Sequence, residues 1–240
     1  MPKTFYGQSL AEVHSSHYSD FAKKASAGVI AALRRAGIRR GLVLDLGCGG
    51  GQLSAALVRR GYDATGVDLS AAMIALARKN VPQAKFVQGS VMSVELPKAA
   101  AAVAIGEVFN YLESTAQLRL AFQNVAQALE PGALFIFDIK EPLPGAGTNT
   151  YTSARWGDDW AVSVKVSEHP GNGVLIRDIV AFRKQGRAYM RADERHRQIL
   201  LKSNDVIDEL RKVGFSASAK SHYGKLKVPQ DRRVIVAQKN

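Results

Sequence analysis

The segment VLDLGCGGGQ, residues 43–52, constrains this chain more than any other. Leu42–Leu46 is a short apolar run of the kind that forms a buried strand, and glycines follow at alternate positions, Gly47, Gly49 and Gly51. Glycine allows a sharp turn and lets a ligand approach the backbone with no Cβ in the way. Leu53–Arg60 then reads as a helix closed by Gly61. A strand, a glycine loop and a helix start with unpaired N–H groups together form a cradle for a ligand.

The alternation continues. Asp63–Val67 reads as a second strand, and Ser70 caps a helix that runs to Asn80 and cannot pass Pro82. Lys85–Gln88 and Ala101–Ile105 are the third and fourth strands. Ser114 or Thr115 opens a helix to Leu129, Glu130-Pro131-Gly132 ends it, and Ala133–Ile139 is the fifth strand. Strands separated by helices predict an α/β fold with a mostly parallel sheet. Upstream, Phe21 to Ala36 has helical periodicity.

Downstream the rhythm changes. Glu141–Tyr151 reads as a Pro/Gly-rich loop. Trp160–Ser167, Val174–Lys184 and Ala188–Leu201 then read as three antiparallel strands split by hairpin chemistry at 170–173 and 185–186. Ser203 or Asn204 caps a helix to Val213, and Phe215–Tyr223 with Arg233–Gln238 is a closing antiparallel pair. The expected organisation is one domain over 1–240: an N-terminal lid and helix (1–36), a ligand-binding core (37–140), a substrate-covering insertion (141–201) and the closing helix and strands (202–240).

With 46% hydrophobic and 22% charged residues in 240, the balance is globular. No apolar run approaches the roughly 20 residues a membrane helix needs, and the N-terminus has no signal core. A cytoplasmic location is expected, with no membrane partner. Cys48 is the one cysteine, so no internal disulfide forms, and no metal site is expected. The net charge is +12, and residues 183–240 supply 15 Lys/Arg against 6 Asp/Glu. Such a flank suits an anionic small-molecule substrate or a nucleic acid, or is a solvated surface.

Asp68 ends the second strand, 17 residues after Gly51, where an acid can accept hydrogen bonds from both ribose hydroxyls of an adenosine. Dinucleotide sites usually carry G-x-G-x-x-G, whereas Gly51 here comes one residue earlier. The loop resembles motif I of the class I S-adenosylmethionine-dependent methyltransferases, and GVDLSAAMIALAR (66–78) resembles their second motif. The resemblance covers roughly residues 20–140 and the closing elements. It implies a Rossmann-like seven-stranded sheet with helices on both faces and the last strand inserted antiparallel.

It also implies the cofactor S-adenosyl-L-methionine, leaving S-adenosyl-L-homocysteine as product. By the same resemblance, Asp45 and the Gly47-Cys48-Gly49 backbone, with Gly51, hold the methionine end. Asp68 holds the ribose, and Leu69 and Met73 line the adenine. Gly89, Ser90 and Val91 meet the adenine edge, Ile105 and Gly106 pass under the methionine portion, and Tyr18, with Tyr6 and Phe21, belongs to an aromatic lid. Two positions depart from the pattern: Ser90 stands where many relatives have Asp, and Ala100-Ala101 where many have Phe-Asp.

Catalytic candidates fall in two segments. GEVFNYL (106–112) follows the fourth strand, where parallel sheets place ligands, and offers Glu107, Asn110 and Tyr111. In ERHRQ (194–198), period-two geometry puts Glu194, His196 and Gln198 on one strand face, with His196 the candidate general base. The loop after the fourth strand lacks the Asn/Asp-Pro-Pro-aromatic motif of many nucleic-acid amino-methyltransferases. The leading expectation is therefore methyl transfer to a nitrogen or oxygen of a small molecule, by a monomer or homodimer. An RNA or protein methyltransferase and a non-catalytic cofactor-binding protein remain open alternatives.

Overall fold

The computed structural model describes residues 7, 10–11, 20–143 and 147–240. Five helices recur through it: α1 (Asp20–Arg35), α2 (Gln52–Val58), α3 (Ala71–Asn80), α4 (Thr115–Ala128) and α5 (Ser203–Lys212). The main sheet contains β1 (Leu42–Leu46), β2 (Asp63–Asp68), β3 (Lys85–Gln88), β4 (Ala99–Ala104), β5 (Leu129–Lys140), β10 (Phe215–Lys220) and β13 (Arg232–Lys239). Its order is β10-β13-β5-β4-β1-β2-β3. Strands β1 to β5 pair in parallel, and β13 lies antiparallel between β5 and β10. This is the seven-stranded Rossmann-like arrangement the resemblance implies.

Alternation along each buried strand builds two apolar layers. Val43, Ala101, Val103, Leu134 and Ile136 face α1 and α2. Leu44, Leu46, Ala102, Ala104, Phe135 and Phe137 face α4 and α5. The small side chains of β4 share that second layer with a group of edge-to-face and tilted rings, Phe109, Phe122, Phe135 and Phe137, whose centroids lie 4.6–5.9 Å apart. Ala101 is fully buried between β1 and β5, so the departure there is a packing feature.

A second, four-stranded antiparallel sheet runs in the order β6 (Asn149–Trp156), β7 (Trp160–His169), β8 (Val174–Gln185), β9 (Ala188–Ile199). It returns over the C-terminal ends of β4 and β5. Asn110 fixes it there, donating to the carbonyls of Lys140 (2.9 Å) and Ile199 (2.6 Å) and accepting from the Lys140 N–H (2.9 Å). A short hairpin, β11 (His222–Tyr223) with β12 (Leu226–Lys227), closes against α1. The contact is so close that a Cβ at Gly28 would lie 2.4 Å from the Tyr223 backbone.

Several boundaries differ from the sequence reading. Strand β6 occupies the end of the expected 141–151 loop and beyond; every one of its side chains is exposed, so no apolar alternation marks it. Strand β5 begins at Leu129, and the expected turn at 130–132 is a bulge within it: Ala99 pairs with Leu129, but Ala101 with Leu134. Phe215–Tyr223 is two strands, β10 and β11, which belong to different sheets. Ser114 and Ser70 cap α4 and α3 as expected, with Oγ accepting from Gln117 N and Met73 N. Helix α5 instead starts after Lys202 without a side-chain cap; the N–H of Ser203 donates to Glu141 Oε1 at 2.7 Å.

Candidate active site

The C-terminal ends of β1, β2 and β4 lie side by side in the sheet and present the glycine loop, Asp68 and the Ile105-Gly106 turn along one edge. Gly47 adopts φ +67°, and a Cβ there would sit 2.5 Å from Val108 Cγ2. Only glycine fits. The N–H of Gly49 donates to Asp68 Oδ2 (2.9 Å) and that of Ser70 to Oδ1 (2.9 Å), so the loop and the start of α3 aim the carboxylate. Burial pushes the Asp68 carboxyl up from its ordinary value, against the pull of those N–H groups. Leu69 beside it is 48% exposed.

Other residues of the implied cofactor set play less direct parts in this geometry. Asp45 is buried, and its Oδ2 accepts from both the N–H (3.0 Å) and the hydroxyl (2.6 Å) of Ser54, tying α2 to β1. Burial raises its pKa to about 6. The Cys48 side chain turns into the apolar cluster of Ile74, Ala77, Val81 and Phe86, so only its backbone belongs to the loop surface. Met73 is buried beneath the loop. Gly89 N–H donates to Asp68 O at 3.0 Å, the Ser90 hydroxyl accepts from Met92 N at 3.2 Å, and Val91 is buried. Gly51 starts α2, and Gly106 donates its N–H to Asp138 Oδ1 at 2.8 Å. Tyr18 and Tyr6 lie outside the described residues.

The two catalytic segments, distant in sequence, meet. The Tyr111 hydroxyl lies 3.2 Å from His196 Nδ1, and His196 Nε2 lies 2.8 Å from Glu194 Oε2. His196 is 1% exposed with both ring nitrogens engaged, so the ring has no face open to a substrate, and Tyr111 beside it is half-buried. This corrects its assignment as the base that touches substrate. Asn110 is fully buried and spent on backbone groups, so it does not face a transferred methyl.

Glu107 belongs to a buried ionic belt. Its Oε2 accepts from Arg177 (3.0 Å) and Gln198 (3.3 Å), and its Oε1 accepts from Arg232. Burial opposes ionisation, but the Arg232 and Arg177 guanidiniums overcome it and hold the carboxyl at about 2. A carboxylate so held is a poor base, and Glu107 anchors charge instead. Asp138, at the end of β5, accepts from Gly106 N and the Tyr223 hydroxyl (2.7 Å), and its Oδ2 lies 3.2 Å from Arg232 Nη1. Arg232 also stacks 4.4 Å above the Phe21 ring. Lys140 pairs with Asp231 and with Glu168 (2.9 Å).

The sequence reading missed Asp138, Lys140, Arg177 and Arg232. Asp138 had a readable signal, a lone acid in the apolar run ALFIFDI at a parallel strand's C-terminal end. The others depend on strand pairing.

Residues 43–132 match the family described as "Methyltransferase domain". YqeM of Bacillus subtilis (strain 168), a methyltransferase by name, is 28% identical over 184 residues, covering 73% of this chain and 74% of its own. In its motifs and its matched domain the chain is similar to the class I S-adenosylmethionine-dependent methyltransferases. Solved structures bear out the fold of this methyltransferase. The sugar N-methyltransferase KedS8 from Streptoalloteichus sp ATCC 53650 superposes with a TM-score of 0.80 at 22% identity, over 100% of this chain and 98% of that one. CalS10, an amino pentose methyltransferase from Micromonospora echinaspora whose structure contains bound S-adenosylmethionine, gives 0.79 at 17% identity, over 100% of both chains.

The crevice fits S-adenosylmethionine, the molecule bound in the CalS10 structure. The loop has a cradle at Gly47 that a Cβ would fill, and Asp68 supplies a carboxylate, aimed by backbone N–H groups, of the kind a ribose diol would donate to. Among the described residues, no helix is long and apolar enough to cross a membrane.

Proposed function

We propose that this methyltransferase transfers its methyl group to a nitrogen or oxygen of a small molecule held between the Gly106–Tyr111 turn and the inner face of the second sheet. The observation that carries this reading is the Tyr111–His196 contact, which brings the turn after β4 against the sheet inserted after β5. A site covered in this way suits a compact acceptor and excludes water from the transfer. The likeness to a sugar N-methyltransferase and an amino pentose methyltransferase supports a polar, amine-bearing acceptor.

In this reading, Asp68 holds the ribose. Gly47, Gly49 and the Cys48 backbone line the methionine portion, with Asp45 and Gly51 shaping the loop. Leu69, over buried Met73, and the Gly89-Ser90-Val91 turn border the adenine, and Ile105 and Gly106 form the floor. The cofactor supplies an electrophilic methyl group. The protein's share is alignment of the acceptor and removal of its proton. Near the C-terminus Arg232 reaches Glu107 and Asp138, and Arg233 reaches Glu141.

The test is transfer from methyl-labelled S-adenosylmethionine into separate pools of amino sugars and their nucleotide derivatives, small phenols, total RNA and protein, with mass identification of the product. Label confined to a small molecule supports the reading. Label confined to RNA or protein overturns it.

A further inference from the structure

We propose that the edge of the main sheet where β1 begins, remote from the glycine loop, is a docking face for the phosphate backbone of a nucleic acid. Arg34, Arg35, Arg39, Arg40, Arg59 and Arg60 carry it. The nucleic acid is an anchor there and not the methyl acceptor, so the proposal goes beyond the reading of the site and does not depend on it.

The six arginines come as three pairs. Arg34-Arg35 is in the last turn of α1, Arg39-Arg40 lies just before β1, and Arg59-Arg60 follows α2. The fold brings the pairs together. Helices α1 and α2 cover the same face of the sheet and end at the edge where β1 and β2 begin. There the Tyr62 hydroxyl donates to the Ile38 carbonyl at 2.7 Å and the Asp63 N–H to the Gly41 carbonyl at 3.2 Å. Those bonds tie the turn after α2 to the segment before β1, and Leu42 pairs with Asp63 beyond them.

All six side chains are exposed. Among the described residues none of the six takes part in an ion pair, and Asp63 is the one acid in the two segments 34–42 and 59–63. Lys98, just before β4, adds no excess charge, because Glu130 lies 3.9 Å from it. A helix end favours a cation in its last turn, which bears on Arg34-Arg35 and Arg59-Arg60. It does not account for Arg39 and Arg40, which lie past α1. The positive charge also continues along α2. A cavity of about 570 Å³ there is lined by Arg59 with Lys23 of α1, Lys79 of α3 and Arg183 of β8, and its described lining residues include no carboxylate. Asp20 comes no nearer to Lys23 than 3.9 Å.

The chemistry of the face selects its ligand. A guanidinium stays charged and donates in pairs to phosphate oxygens. A protein partner would need an apolar or aromatic centre, and a single strand an aromatic platform for its bases. This edge has neither: Tyr62 is buried and Ile38 half-buried. Arginines alone suit the backbone of a duplex. Strand β1 has five residues, so the face lies roughly 17 Å from the glycine loop, too far for a backbone held there to present a base to the site.

The test is fluorescence anisotropy with an RNA duplex and a DNA duplex of the same sequence, each titrated at several salt concentrations. The arginine variant combines Arg35→Gln, Arg39→Gln, Arg40→Gln and Arg60→Gln. A variant of equal charge combines Lys184→Gln, Lys220→Gln, Lys225→Gln and Lys227→Gln, which lie on β8, β10 and the β11–β12 hairpin. At least one duplex should bind the unsubstituted protein, and the preference between them names the source of the phosphates. The arginine variant should bind at least about thirtyfold more weakly, with a salt slope smaller by about 2 or more; the lysine variant should lose less than about fivefold. Thermal unfolding and S-adenosylhomocysteine affinity should be unchanged in the arginine variant. Arg39→Gln with Arg40→Gln alone should lower the salt slope by about 1–2, which keeps the test if the fourfold variant fails to fold.

Failure of both duplexes to bind at low salt overturns the proposal, as does an equal loss in the lysine variant. Competition by polyglutamate as strong as that by the duplex would mean the face takes any polyanion, and overturns the phosphate assignment. Methyl label appearing in the duplex would place the nucleic acid in the site and overturn its role as an anchor.

Discussion

The Glu107 carboxylate lies 3.0 Å from the Arg177 guanidinium, joining the turn after β4 to the third strand of the second sheet, with Arg232 of β13 on the other carboxylate oxygen. Glu107 is the one non-glycine among the described residues with positive φ, at 64°. A strained backbone at a strand end is held by ions from two sheets.

Removing that charge should be expensive. Glu107→Gln keeps the shape but leaves Arg177 and Arg232 without their carboxylate, and loss of one partner of a buried pair costs about 3–5 kcal/mol. Urea unfolding should show a fall of that order; a change under about 1 kcal/mol would mean the pair contributes no more than an exposed one.

Acid should act through the same group. The Glu107 carboxyl is held at about 2 in the fold against an ordinary 4.5. Its stabilisation is therefore complete above 4.5 and lost as pH falls through about 2, a contribution of about 3 kcal/mol. Unfolding free energy measured from pH 5 down to pH 2 should drop more steeply for the unsubstituted protein than for Glu107→Gln.

Asp45 should behave with the opposite sign. Its pKa is raised from 3.8 to about 6, so its contribution is greatest below 3.8 and lost as pH rises through 6. Asp45→Asn keeps an acceptor for Ser54 and removes the buried charge. The variant should match the unsubstituted protein near pH 4 and gain about 1–3 kcal/mol on it by pH 7. An identical pH dependence in both would place the titration elsewhere.

Gly47→Ala should damage the cradle directly. The new Cβ meets Val108 Cγ2 at 2.5 Å, and alanine at φ +67° is strained. Overpacking and backbone strain together cost about 2–4 kcal/mol. Thermal unfolding and S-adenosylhomocysteine titration should both register the loss. Val108→Ala in the same chain should recover the packing part and not the backbone part.

The first half of the fold was legible because local chemistry writes it. The glycines at 47, 49 and 51, the Ser70 and Ser114 caps and the apolar runs act within a turn or two of themselves. The site is written across long separations. Tyr111 and His196 each stood out in sequence, but their contact exists only because β9 returns over β4, 85 residues later. The roles of Glu107 and Asn110 were misread for the same reason, since Arg177, Arg232 and the Ile199 carbonyl become their partners only through strand pairing. Strand β6 escaped notice because an exposed edge strand needs no apolar face.

Calorimetric titration with S-adenosylhomocysteine, comparing the unsubstituted protein with Asp68→Asn, bears most directly on the crevice between the glycine loop and Asp68. The unsubstituted protein should bind one equivalent, and the variant, short of the charge that receives the ribose hydroxyls, should bind at least about tenfold more weakly. Equal affinity in the two proteins, with both folded, would contradict the assignment of Asp68 and the crevice reading built on it.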